Sequence, residues 1–198
     1  MKRYITLLSL GLCLAVPMLS QASDTKTVMH VTNVHNGQYD AALDAITDTK
    51  FYGPYQFRVL KDAIETQGET KDIDGRVFRT SDGVFMHVKA RSIDSTSSTL
   101  DAEVNEIVKD RTVPEPTVKM VLPVKHDVIE VNNDGVRSLL AEFMYSWPLH
   151  NRTDMVLVTD YEDTRYYYNL QFYRDKLPEG IRIEQLRQMV MDAQFSYK

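Results

Sequence analysis

The chain has 198 residues, 43% of them hydrophobic, and carries 23 Lys+Arg against 28 Asp+Glu for a formal charge of −5. A phosphate backbone would repel such a chain unless its cations were clustered, and in the sequence they stand singly among acids, which argues against a nucleic-acid partner. The lone cysteine, Cys13, excludes an intrachain disulfide framework, so stability has to come from burial, for which the length suffices.

Residues 1–22 read as a secretory signal peptide. Lys2 and Arg3 form a basic start, Tyr4 to Val16 is apolar, Pro17 breaks the helix, and Ser20-Gln21-Ala22 supplies small residues for cleavage after Ala22. A membrane anchor would need ~20 apolar residues, and this run is shorter. Lipidation of Cys13 would want a small residue before it, where bulky Leu12 stands. Cleavage would leave 176 of the 198 residues as one α+β domain, 23–198. It would remove the cysteine with two cations and shift the formal charge from −5 to −7. The expected address is the periplasm or the extracellular space, with no integral membrane segment remaining.

Along the rest of the chain, Thr27 to Val34 is a strand candidate and Asn36-Gly37 a turn. Tyr39 to Thr47 reads as a helix through Ala41, Ala42 and Ala45, with Leu43 and Ile46 three apart. Gln56 to Thr66 fits strand or helix, and whether 23–70 joins the same sheet as the rest is left open. Arg76 to Thr80 and Val84 to Ala90 pair about Asp82-Gly83, with Val84, Met86 and Val88 on one face and Phe85 and His87 on the other. Thr99 can cap a helix to about Asp110, with Asp101 and Glu103 at its positive end and Leu100, Val104, Ile107 and Val108 as its apolar stripe.

Pro114-Glu115-Pro116 ends that helix. Thr117 to Val124 and Asp127 to Val131 are strand candidates, and Asn132 to Gly135 is a turn. Val136 to Tyr145 sets Leu139, Ala141, Phe143 and Tyr145 on one face. Met155 to Thr159 and the tyrosine-rich run Tyr166 to Phe172 flank a turn at Asp160 to Thr164. A last helix from about Glu179 would bury Ile183, Leu186, Met189, Val190 and Ala193. Short turns between consecutive strands favour antiparallel pairing, so the expected fold is α+β, a largely antiparallel sheet with helices packed on it as an αβα sandwich.

From Gly75 to Phe195 the order of pieces resembles the PsbP-like superfamily, which includes periplasmic proteins of the DcrB type. The resemblance is carried by the Asp82-Gly83 hairpin, the helix start Ser98-Thr99-Leu100-Asp101, Glu130 to Gly135 with the strand after it, Tyr166 to Phe172, and the close Met191-Asp192-Ala193-Gln194-Phe195-Ser196. It implies an αβα sandwich acting as a binding or assembly factor.

No pattern points to a metal or cofactor. His30 and His35 are five apart and would face opposite sides of an extended strand, and His87, His126 and His150 stand alone. The acidic turn Asp160, Glu162, Asp163 lacks the glycine and the ligand number of a calcium loop. No G-x-S-x-G elbow occurs. The aromatics carry more information. Tyr167, Asn169, Gln171 and Tyr173 alternate onto one face of their strand, with Trp147 and His150 in the preceding loop. Tyrosine mixed with amides suits a surface for a polar partner. Trp147, His150, Tyr167, Asn169 and Tyr173 are therefore the candidate partner-binding residues. The leading expectation is a non-catalytic envelope protein that binds a protein partner through one sheet face. A small secreted hydrolase and a glycan- or ligand-binding module are the alternatives.

Overall fold

The computed structural model describes residues 28–32, 41–66, 75–113, 121–146 and 150–196. The expected signal peptide, the Asn36-Gly37 turn and Trp147 lie outside the described residues.

Among the described residues, eleven strands and three α-helices follow one another as β1 (Val28–Thr32), α1 (Ala41–Ile46), β2 (Thr47–Tyr52), β3 (Tyr55–Leu60), β4 (Ile64–Thr66), β5 (Arg76–Arg79), β6 (Phe85–Ser92), α2 (Leu100–Thr112), β7 (Lys125–Asn133), β8 (Val136–Ser146), β9 (Asn151–Tyr161), β10 (Thr164–Tyr173), α3 (Ile183–Met191) and β11 (Gln194–Phe195). Eight of the strands form the main sheet, in the order β1-β7-β8-β9-β10-β6-β5-β4. Every pairing in it is antiparallel except that of β1 with β7. β11, β3 and β2 form a small second sheet. The fold is thus mixed α+β, a multi-stranded antiparallel sheet with helices packed against it.

The first third of the chain is divided between the two sheets. β1 and β4 sit at the two edges of the main one, while β2 and β3 build the small one. The ambiguous stretch resolves into β3, a turn and β4. The turn from β7 to β8 needs two left-handed residues, Asp134 (φ 51°) and Gly135 (φ 83°), and a short polar residue and a glycine meet that need at little steric cost.

The small sheet, Leu43 of α1 and the apolar side of α3 cover what we call the inner face of the main sheet. The core there is aromatic. Tyr55 stacks on Tyr166, Phe195 stacks on Tyr161, and Phe57 meets the edges of Phe78 and Tyr168. Tyr166, Tyr168, Leu170 and Phe172 all point into it, as their alternation implies. Polar ties close the layer. Arg58 of β3 pairs with Asp44 of α1 and with Asp192 just past α3. Asn133 Nδ2 donates to the carbonyls of Met191 and Ala193, at 2.6 and 2.8 Å, and so anchors the end of α3 to the β7–β8 hairpin.

The outer face is covered differently. Among the described residues only α2 packs on it, and its Leu100 and Val104 meet Leu139, Ala141, Phe143 and Tyr145 of β8 and Val156 and Val158 of β9. Thr99 caps the helix as expected, its Oγ1 accepting from the Ala102 N–H. The outer sides of β10, β6 and β5 extend beyond the helix.

Several sequence expectations shift, among them the end of the first helix, where Thr47 opens β2, and the start of β9, which is Asn151 and not Met155. Residues 121–124 are not in a strand, and Val121, Leu122 and Val124 are exposed. The last helix starts at Ile183, not near Glu179, because Pro178 to Gly180 form a turn in which Gly180 takes a left-handed φ of 86°. The first hairpin is looser than a two-residue turn, running from Thr80 to Val84 with Val84 N–H donating to Thr80 Oγ1. Among the described residues no helix is long and apolar enough to cross a membrane.

Candidate functional site

Alternation along β6 and β10 builds the site. Cross-strand partners share a face, so the register sets Phe85 beside Gln171, His87 beside Asn169 and Lys89 beside Tyr167 on the outer side. Arg79 of β5 adjoins Phe85 in the same row. α2 rises over β8 and β9 and stops short of these rows, so its Glu103, Ile107, Asp110 and Arg111 become the second wall of a trough of about 540 Å³ floored by Tyr167, Asn169 and Gln171. A second depression, of about 400 Å³, continues it past Phe85 and Gln171 toward Arg79, Arg152 and Tyr173. The six residue steps along β10 from Tyr167 to Tyr173 give the combined trough a length of about 20 Å.

One end of the trough is fixed by a buried arginine. Arg165 is 1% exposed, and it grips Asp160 with two hydrogen bonds of 2.6 and 2.7 Å. It also reaches the Ser98 carbonyl at 2.8 Å and Glu103 at 3.2 Å, which ties the start of α2 to the sheet. Glu103 collects further donors in Tyr167 Oη at 2.7 Å, Ser98 Oγ at 3.0 Å and Arg91 at 2.5 Å. Burial alone would raise its carboxyl pKa, but the Tyr167 and Ser98 hydrogen bonds and the charges of Arg91 and Arg165 outweigh burial and hold it below the usual value. The Tyr167 hydroxyl is pushed the other way, first by burial and then by the carboxylate it faces.

Midway along the trough, Asp154 lies beneath it at 1% exposure. Arg152 holds it with two contacts of 2.6 and 2.5 Å, and Arg111 reaches it at 3.2 Å. Arg111 also lies over the Phe143 ring, 4.8 Å from its centroid.

The five candidates from the sequence fare differently. Asn169 and Tyr173 are half-buried and line the trough. Tyr167 also lines it but is only 5% exposed, where its strand position had suggested a surface aromatic. Lys89 and Arg91 cover its ring and Glu103 takes its hydroxyl. His150 stands outside the trough, its Nδ1 3.1 Å from Asp175 and its ring 5.4 Å from that of Tyr173. Trp147 is outside the described residues.

Sequence reasoning missed the cations. Arg79, Lys89, Arg91 and Arg111 are far apart or separated by other types in the chain, but β-alternation and the placement of α2 bring them around one trough. The outward series Phe85, His87, Lys89, Arg91 was the available signal. Among the described residues no group of three or more His, Cys, Asp or Glu could hold a metal ion.

No family model and no curated protein sequence matches the chain. Among solved structures, a protein from Bacteroides thetaiotaomicron is similar over 73% of this chain and 46% of its own length, at 9% identity and a TM-score of 0.45. The chain thus spans under half the length of that protein. A Pseudomonas aeruginosa protein of unknown function is similar over 67% of this chain and 86% of its own, at 6% identity and a TM-score of 0.35.

Proposed function

We propose that this chain is a non-catalytic binding or assembly protein of the bacterial periplasm or exterior, and that it engages a protein partner through the open half of the outer sheet face. The observation that carries the reading is the trough over β10 and β6. It is about 20 Å long, has an amide floor of Asn169 and Gln171, and has its charged walls held in place by buried ion pairs. Rigid elements bearing half-exposed polar groups pre-organise a surface for recognition. The basic, apolar and small-residue segments of residues 1–22 support the address, and the resemblance to the PsbP-like superfamily supports a binding role.

The test is site-specific photo-cross-linking in the native host, with a photo-reactive phenylalanine analogue at Asn169 or Gln171. The expected result is one discrete adduct shared by both positions and absent when the analogue is placed at exposed Asp82 or Glu179. Equal adducts from all four positions would overturn the reading.

One observation favours a second reading, a small secreted hydrolase. His150 faces the Asp175 carboxylate, the arrangement that orients a general base. Both side chains are about two-fifths exposed, and the pair lies outside the trough. If it is catalytic, His150→Ala abolishes turnover of activated ester substrates. A purified chain whose ester turnover is the same with and without His150 eliminates this reading.

A further inference from the structure

We propose that the trough takes an extended acidic peptide, whose carboxylates four residues apart seat on Lys89 and Arg79. The inference rests on the reading of the trough as the binding surface and adds the chemistry of its occupant. The argument begins with the cations. Arg91, Arg111 and Arg152 are already matched with Glu103 or Asp154. Lys89 and Arg79 are both exposed, and neither has a carboxylate partner among the described residues. Each lies over a ring instead, Lys89 over Tyr167 at 5.1 Å and Arg79 over Phe85 at 5.2 Å. Those contacts orient the two cations and leave their N–H donors for a ligand.

Their spacing sets the ligand's period. Lys89 is four residues along β6 from Phe85, the residue that Arg79 adjoins, which is about 13 Å of strand. In an extended chain, side chains on one face recur at every second residue, so positions i and i+4 match that distance. Between the two cations the floor offers the Asn169 amide, which can donate to and accept from a peptide backbone, and the Gln171 side-chain carbonyl, its Nε2 being turned to Asp154 Oδ2 at 3.5 Å.

The opposite wall sharpens the orientation. There α2 presents Glu103 and Asp110, with the Glu103 charge balanced by Arg91 and Arg165. Arg111 on the same wall is matched by Asp154, so the charges left without an ion-pair partner among the described residues are Lys89 and Arg79 on the strand side and Asp110 on the α2 side, and a carboxylate-bearing peptide is drawn to the strand side. A sugar is fitted less well, because sugars stack on open aromatic faces and here Lys89 covers Tyr167, Arg79 covers Phe85 and Lys176 lies over Tyr173.

The test is fluorescence anisotropy with the full chain and dye-labelled hexapeptides of Ser and Thr carrying Glu at positions 1 and 5. Gln at both positions, or Lys at both, makes the controls, and tetragalacturonate is added as an acidic sugar. The expected result is saturable binding of the Glu peptide, weakened about tenfold by the combined change Arg79→Ser with Lys89→Ser, as for two exposed ion pairs. Binding should also be blocked by Asn169→Arg, which fills the floor. Arg79 and Lys89 are exposed, so their variants should keep the wild-type circular dichroism and urea midpoint. Equal binding of the Gln and Glu peptides, with both blocked by Asn169→Arg, overturns the acidic chemistry while the trough remains the binding surface. Binding of tetragalacturonate alone, or of no probe, overturns the proposal. Glu-peptide binding untouched by Asn169→Arg sinks the trough reading itself.

Discussion

The two faces of the main sheet are made from the same strands by alternation, yet they are finished in opposite ways. The inner face is sealed by a small sheet and two helices over an aromatic core in which Tyr55, Phe57, Tyr168 and Met189 have essentially no exposure. Among the described residues the outer face is sealed only where α2 crosses β8 and β9. Beyond the helix, the same alternation that gives the inner face its Val, Met and Leu gives the outer face His87, Lys89, Asn169 and Gln171. Apolar burial is concentrated on one side, and the other presents polar and charged side chains.

The sharpest way to break this comparison is a cavity on each side. Phe57→Ala removes a ring with no exposed surface that touches Phe78 and Tyr168, and should cost about 3–5 kcal/mol in urea unfolding. His87→Ala on the open half should change stability by under ~0.5 kcal/mol. Similar losses from both would mean that the outer face is as integral to the core as the inner one.

Next in size is the ion-pair cluster that holds α2. Glu103→Gln leaves Arg165 buried with Asp160 as its remaining carboxylate and weakens the acceptor for Tyr167. A loss of about 1–3 kcal/mol is expected, together with faster amide hydrogen exchange in α2 than in α3. Unchanged exchange in α2 would show that apolar packing alone keeps the helix in place.

How far the fold could be read from the sequence follows the same division. The inner rows of β10 and β8 were legible because apolar alternation with a period of two has one physical meaning on a half-buried strand. The Thr99 cap was legible because its chemistry is local. The small sheet was not, since β11 joins β3 across more than a hundred residues and only tertiary pairing shows it. Neither was the burial of Tyr167. Alternation places it on the outer face but does not say that α2, Lys89 and Arg91 converge there. Asn133, which the sequence marks only as a turn residue, also holds the end of α3. At the candidate site, Asn169 and Tyr173 were legible from strand pattern, whereas the cation set from β5, β6 and α2 required the register.

A smaller effect comes from acid. The Glu103 carboxyl titrates below its unfolded value in the folded chain, so the folded state favours the ionised form. Its contribution is present above the unfolded carboxylate value of about 4.3 and is lost as pH falls through the lower folded value. Unfolding midpoints measured from pH 6 to pH 3 should therefore fall on the acid side, and fall less steeply in Glu103→Gln. Parallel slopes in the two proteins would remove Glu103 from the acid response. Alkali acts in the opposite sense on the buried tyrosines. Tyr55 and Tyr168, raised by burial, stay protonated in the folded chain after the unfolded chain begins to lose its protons near pH 10, so stability also declines as pH rises past that point.

A change at Asn169 should affect stability as little as one at His87, and it decides most about the outer face. Its side chain is half-buried at the middle of the trough, between His87 on the neighbouring strand and the wall of α2. Asn169→Ala should move the unfolding midpoint by no more than ~0.5 kcal/mol, because no apolar packing is removed. The same change should weaken binding of an acidic hexapeptide measurably, because a floor amide that can pair with its backbone is gone. A stability loss of the size seen for Phe57→Ala, with peptide binding unchanged, would make Asn169 part of the scaffold. The amide row of β10 would then serve the fold, and the open half of the sheet would lose its claim to be the recognition surface.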